Sequence, residues 1–242
     1  MVDGPRRDGD SGGDESPDRK ETLVRYFDAA TFAFLRDLKK HNDRAWFAEN
    51  KDRYEESVKE PFLQFISDVG PELRKVSPQL VADPRPVGGS MFRIYRDVRF
   101  SKDKSPYKTH VGAHFEFGGK GVHGPGYYLH LEPASCFVAG GMWMPESSDL
   151  QKIRERISAK PAEWRKAGAK LDHPEDALKR APRGFDPEDP MIEDIKRKSF
   201  TSSVKLSDAQ LTGPDLVTTF VRGCKQIEPL MRFLSAAVGA KW

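Results

Sequence analysis

The sequence predicts an α+β fold: a single domain whose central antiparallel or mixed sheet is covered by N- and C-terminal helices. Three observations predict it. Apolar residues recur every three or four positions over about 28–76 and again beyond 147. Between 91 and 143 the period drops to two, the signature of half-buried strands. The links between those strand-like runs are short and carry Gly or Pro, which suits hairpins better than helical crossovers.

The elements follow in order. Residues 1–25 are rich in Gly, Asp, Arg, Ser and Pro, with almost nothing apolar to offset the entropy of ordering, so a disordered charged tail is expected. Order begins near Phe27, and the α+β domain occupies 26–242. Asp28 can cap a helix that buries Phe32, Leu35 and Leu38. His41 and Asn42 close it, and Asp43 can cap a second helix carrying Trp46, Phe47 and Tyr54. A third runs from about Glu60 along Phe62, Phe65, Ile66, Val69, Leu73 and Val76. Gly70-Pro71 is expected to bend or split it, and Ser77-Pro78 to end it.

Over 91–100 the alternation predicts a strand, with Phe92, Ile94, Val98 and Phe100 on one face and Arg93, Tyr95, Asp97 and Arg99 on the other. Two more strands alternate Val111, Ala113, Phe115 and Phe117 with Gly112, His114 and Glu116, and Tyr127, Leu129 and Leu131 with Tyr128, His130 and Glu132. Residues 135–143 read as a fourth, in which Gly140-Gly141 marks a bulge or a close backbone approach. Ser147 or Ser148 can cap a helix with Leu150, Ile153 and Ile157, and Pro161 opens another containing Trp164. Four prolines make 171–190 mostly loop, and Asp189-Pro190 looks like a cap and first helical position. A late strand fits 201–206. The last helix places Phe220, Cys224, Ile227, Met231 and Leu234 on one core-facing stripe, with a kink near Pro229.

Composition narrows the function classes. Two cysteines, Cys136 and Cys224, lie far apart and in no metal-ligand spacing, which is the usage of a reducing compartment. No h-region opens the chain and no apolar run approaches the roughly 20 residues of a membrane helix, so cytoplasm is the expected location, with no membrane partner. Net charge is +3; residues 1–20 contribute −2, leaving +5 for the body. That balance by itself calls for neither nucleic acid nor an anionic surface.

Three stretches carry a resemblance: FAFLRDLKKHNDRAW at 32–46, FRIYRDVRFSKDKSPYKTH at 92–110 and LKRAPRGFDPEDP at 178–190. With them the chain, from about 27 to 234, resembles the bacterial and fungal conserved-hypothetical family catalogued as domain of unknown function 2461. The resemblance implies one α+β domain and directs attention to 92–110. It brings no activity, cofactor or catalytic residue, so cofactors and enzymatic status stay unassigned.

That stretch holds Arg93, Arg96, Arg99, Lys102, Lys104 and Lys108, with Tyr95 and Tyr107 among them, against Asp97 and Asp103. Arginine forks and the amides of a turn-like loop over 101–106 offer the bidentate, charge-assisted bonds that a phosphate or carboxylate needs. Arg96 falls on the apolar side of the expected strand, where a guanidinium needs an acid or an anion. The first expectation is therefore an anionic small molecule held by these residues and His110. His114, His130 and Glu132 are the candidates for acid–base chemistry. Nucleic-acid binding through the same bases and tyrosines is a second expectation, and a non-catalytic docking surface a third.

The histidines raise the question of a metal. His110 and His114, four residues apart on a strand, sit about 13 Å apart and cannot share an ion. His130 and Glu132 lie about 6.6 Å apart on one face and could chelate with a neighbouring strand, His114 being the natural third ligand. No compact metal motif is present, so no metal is assigned; a polar face held by His–Glu–Arg hydrogen bonds is the simpler expectation. Walker, dinucleotide, nucleophile-elbow and zinc-finger signatures are absent too.

Overall fold

A carboxylate in the right place starts the helical layer. In the computed structural model, Asp28 Oδ1 accepts from Ala30 N at 2.8 Å and Thr31 N at 3.2 Å, and Thr31 Oγ1 accepts from Asp28 N in return. This capping box opens α1 (Ala29–Lys40), which ends at His41 as its composition predicts. The structure describes Met1 and residues 24–118, 124–168 and 170–242; the tail expected over 1–25 lies almost wholly outside them.

Asp43 Oδ1 accepts from Trp46 N at 2.9 Å and starts α2 (Arg44–Glu49). The chain then passes through α3 (Lys51–Tyr54) and a single π turn, Glu55–Lys59, into α4 (Glu60–Val76). Gly70-Pro71 does not split α4. A proline inside a helix costs about 3 kcal/mol, but Phe62, Phe65, Ile66 and Val69 before it and Leu73 after it all face the same core and are fully buried. Each such side chain contributes roughly 1.5–3 kcal/mol by leaving water, so continuity of the buried stripe outweighs the missing bond. The helix stops at Ser77, as expected.

The sheet is a five-stranded antiparallel meander in the order β1 (Leu80–Val81), β2 (Val111–Phe117), β3 (Gly126–Leu131), β4 (Cys136–Met142) and β5 (Phe200–Leu206). Between β4 and β5 lie α5 (Ser147–Ala159), α6 (Pro161–Ala167) and α7 (Ile192–Ile195); α8 (Asp208–Thr212) and α9 (Leu216–Val238) complete the chain. The α+β class is as the patterning predicts, with the sheet antiparallel rather than mixed. Two caps differ. Ser147 and Ser148 lie inside α5, behind Glu146, and Asp189 accepts from Met191 N at 2.7 Å in a turn that ends before α7 begins.

One face of the sheet is the core. Phe115, Tyr127, Leu129 and Val138 point into it, and α9 lies across β4 with its predicted stripe, Phe220 to Leu234, buried. Tyr127 Oη donates to the Cys224 carbonyl at 2.9 Å, and Phe220 packs edge-on against Phe65 of α4. Gly140 and Gly141 make a close approach, not a bulge: the β4–β5 register runs unbroken through both. A Cβ on Gly140 would meet the Tyr127 ring at 2.8 Å and Ile227 at 3.0 Å.

The strand expected over 91–100 does not form. Met91 makes one bridge to Ala113 and Tyr95 one to Tyr107. In between the chain folds on itself, with Arg96 N donating to Pro106 O at 2.9 Å and Lys108 N to Ile94 O at 2.8 Å. Asn42 clamps this irregular segment from the helical layer, accepting from Tyr107 N and donating to Tyr107 O, both at 3.0 Å. Of the four apolar residues assigned to the inner face only Ile94 is buried, whereas Phe92 is 47% and Phe100 96% exposed. Alternation misleads here because no neighbouring strand extends far enough to hold a ladder.

Candidate functional site

The register of the meander decides what shares the face opposite the core. Gly112 pairs with His130 and His114 with Tyr128; Tyr128 pairs in turn with Ala139 and His130 with Phe137, and Ala139 pairs with Ser203. Successive side chains of a strand alternate faces, so these residues form one surface, with Thr201 and Glu116 at one end and His110 and Glu132 at the other. No helix covers it.

At the first end that face is the floor of a cavity of about 1030 Å³, at the upper limit of ordinary small-molecule sites. His114, Tyr128, Phe137 and Ser203 lie on the floor. Phe92 forms one wall, its ring parallel to His114 within 9°. Residues 143–146 and the Asp172-His173 corner form the other, with Trp143 and His173 edge to face at 4.7 Å. Four carboxylates reach the lining: Glu116, Glu146, Asp149 and Asp172. Asp149 is matched by Lys152 at 2.9 Å, and Asp172 accepts from Ser203 Oγ at 3.0 Å. Among the described residues Glu116 and Glu146 have no cationic partner, and no lysine or arginine lines the cavity.

The other end holds a compact cluster. The rings of His110 and His130 lie 4.6 Å apart, His130 Nε2 is 3.5 Å from Glu132 Oε2, and His130 Nδ1 is 3.0 Å from the Tyr128 hydroxyl. Phe137 stacks on His130 at 4.6 Å. Burial, with His130 beside it, holds the His110 imidazole down to about 4. Burial also lowers His130 and His114, each partly opposed by a neighbouring glutamate, and raises the Tyr128 hydroxyl to about 12. At neutral pH these three imidazoles are uncharged donor–acceptor groups. Chelation by His130 and Glu132 with a neighbouring strand was foreseeable, but the third member is His110 and not His114: His110 lies one step beyond the Val111–Leu131 pair, opposite Glu132, while His114 faces Tyr128.

The cationic residues are scattered by comparison. Arg96 is ion-paired to Asp103 and Arg99 to Asp97, which supplies the acid that a half-buried Arg96 needs. Lys104 Nζ donates to Val98 O, and Lys108 Nζ to Arg93 O while sitting 5.4 Å over the Phe92 ring. Arg93 and Lys102 are exposed and have no ion-pair partner among the described residues. Tyr107 is buried and stacked on Phe47 at 4.1 Å; Tyr95 is 55% exposed. Of the whole 92–110 stretch only Phe92 lines the cavity.

The family described as conserved hypothetical protein (DUF2461) matches residues 30–233. The chain belongs to that family. No curated protein and no solved structure matches it. The DUF2461 match spans residues of both layers and of the open face, and the family description names no activity. Among the described residues, no helix is long and apolar enough to cross a membrane.

The alternation put His114 and Glu116 on the polar side of one strand and Tyr128, His130 and Glu132 on that of the next; of these His114, Glu116 and Tyr128 line the cavity, most of whose other residues the sequence did not single out. Phe137 follows from strand register once the β3–β4 hairpin is aligned, whereas Ser203 depends on the long-range pairing of β5 with β4. Trp143, expected to end the fourth strand, lies just past β4, and Asp172 and His173 come from a loop that carries no periodic signal.

Proposed function

We propose that the open-face cavity binds a small organic cation, an amine or guanidinium attached to an apolar or aromatic body. The observation that carries this reading is the lining itself: aromatic rings together with four carboxylates and, among the described residues, neither lysine nor arginine. A ring face attracts a cation through its quadrupole, most strongly where water is displaced. Glu116 and Glu146, with no counter-ion among the described residues, supply the charge that a partner must match. The cavity thus favours the opposite charge to the one that the cationic stretch suggests.

Calorimetry and thermal shift with phenethylamine, agmatine and spermidine, against carboxylates of matched shape, provide the test. The amines are expected to raise Tm and the carboxylates to leave it unchanged. Replacing Glu116 and Glu146 together by Gln is expected to weaken amine binding by about tenfold, roughly 1.4 kcal/mol. Equal stabilisation by the carboxylates, or none by any amine, refutes the reading.

A second reading rests on another surface. Arg93 and Lys102, exposed and without ion-pair partners among the described residues, flank the exposed rings of Tyr95 and Phe100. Positive charge interleaved with open aromatic faces is the pattern that stacks single-stranded nucleic acid. This reading expects an oligonucleotide affinity that falls steeply with salt and drops when Arg93 and Lys102 are both changed to Ala. A titration without salt dependence disposes of it, and retention of an anionic metabolite instead would favour the small-molecule version of the same surface.

A further inference from the structure

The geometry points to a divalent transition-metal site, fitted to zinc, built from His110, His130 and Glu132 on the open sheet face. One nitrogen from each histidine and one carboxylate oxygen all lie within 4.8 Å of one another. Ligand atoms around a tetrahedral zinc, with bonds of 2.0–2.2 Å, stand about 3.3 Å apart. His130 Nε2 and Glu132 Oε2, at 3.5 Å, already have that spacing. The backbone under the cluster is set by the sheet: His130 lies in the central strand β3 and Glu132 one residue past its end, and the β2–β3 register, continued one step beyond the Val111–Leu131 pair, sets His110 across from Glu132. Side-chain rotation alone can bring the third ligand in.

The surroundings are those of a ligand shell. The Tyr128 hydroxyl engages His130 Nδ1 at 3.0 Å, which leaves Nε2 to face Glu132. An outer hydrogen bond of this kind fixes tautomer and ring orientation in metal-bound histidines. Phe137, parallel to the His130 ring within 11°, blocks rotation from the other side. His130 is 9% exposed, whereas the Glu132 side chain opens to solvent, so an ion can enter and retain a water as its fourth ligand. Lys39 Nζ, 3.9 Å from Glu132 and itself largely exposed, is the group that the ion displaces. Two imidazoles and one carboxylate form a borderline donor set, which suits zinc and not magnesium or calcium.

The test uses the full chain stripped with a chelator. Calorimetric titration with Zn²⁺ is expected to give one ion per chain, and Co²⁺ the visible bands of a four-coordinate site. Glu132→Gln, which keeps the side-chain shape, and His110→Ala are each expected to weaken Zn²⁺ binding at least tenfold; Tyr128→Phe is expected to weaken it by about tenfold through loss of the outer bond. Circular dichroism establishes that each variant is folded; if His110→Ala is not, Glu132→Gln decides. No Zn²⁺ uptake by the unmodified chain, or the same affinity in Glu132→Gln, overturns the site.

Discussion

Burial holds the His114 imidazole below its ordinary pKa, with Glu116 pulling weakly the other way. The unfolded chain therefore takes up a proton at about 6.5 while the folded chain still resists it. Stability contributed by the neutral form is complete above that pH and is lost progressively as pH falls through it. NMR titration of the His114 ring should give a midpoint below 6.5, and urea unfolding midpoints should fall less steeply with acidification in His114→Gln. A midpoint at or above the ordinary value contradicts the burial argument. At this scale the sequence put His114, His130 and Glu132 on the polar side of the sheet but could not name partners: nothing local says that Arg96 meets Asp103 or that Tyr107 turns inward onto Phe47, because those contacts depend on how 91–110 folds back on itself.

Elements with a long, regular apolar stripe were legible. Asp28 and Asp43 cap their helices as expected because a capping carboxylate acts on amides two or three residues away. The strand containing His130 kept its alternation between two fully paired neighbours, and that containing His114 kept it against β3, with only the two-residue β1 and one isolated bridge on its other side. The errors share a cause. Residues 91–100 alternate as well as any strand in the chain, yet they lie alongside β2 at a single bridge and leave Phe92 and Phe100 in water. Pro71, read as an interruption, sits inside a helix whose buried face continues past it. In both places tertiary contacts overrule a local preference worth only a few kcal/mol.

The whole molecule is a helical layer against one face of a meander, with the other face left open, and the tightness of that contact can be measured. Gly140 lets Tyr127 and Ile227 close over β4; Gly140→Ala puts a methyl 2.8 Å from the Tyr127 ring. Overpacking of this kind costs about 1–3 kcal/mol, so the urea midpoint should fall by that equivalent. An unchanged midpoint would mean that the layers are looser than described. The sequence by itself determined the class of fold, the core stripe of the last helix and the family, because each depends on local periodicity or on motifs read in line. Only the tertiary structure decided which polar residues meet. Strand register set His110, rather than His114, beside His130 and Glu132. Loop packing placed acids and rings around the cavity, with no lysine or arginine in its lining among the described residues. Register and loop packing are selected by the free energy of the assembled molecule, and no window of a few residues contains that information.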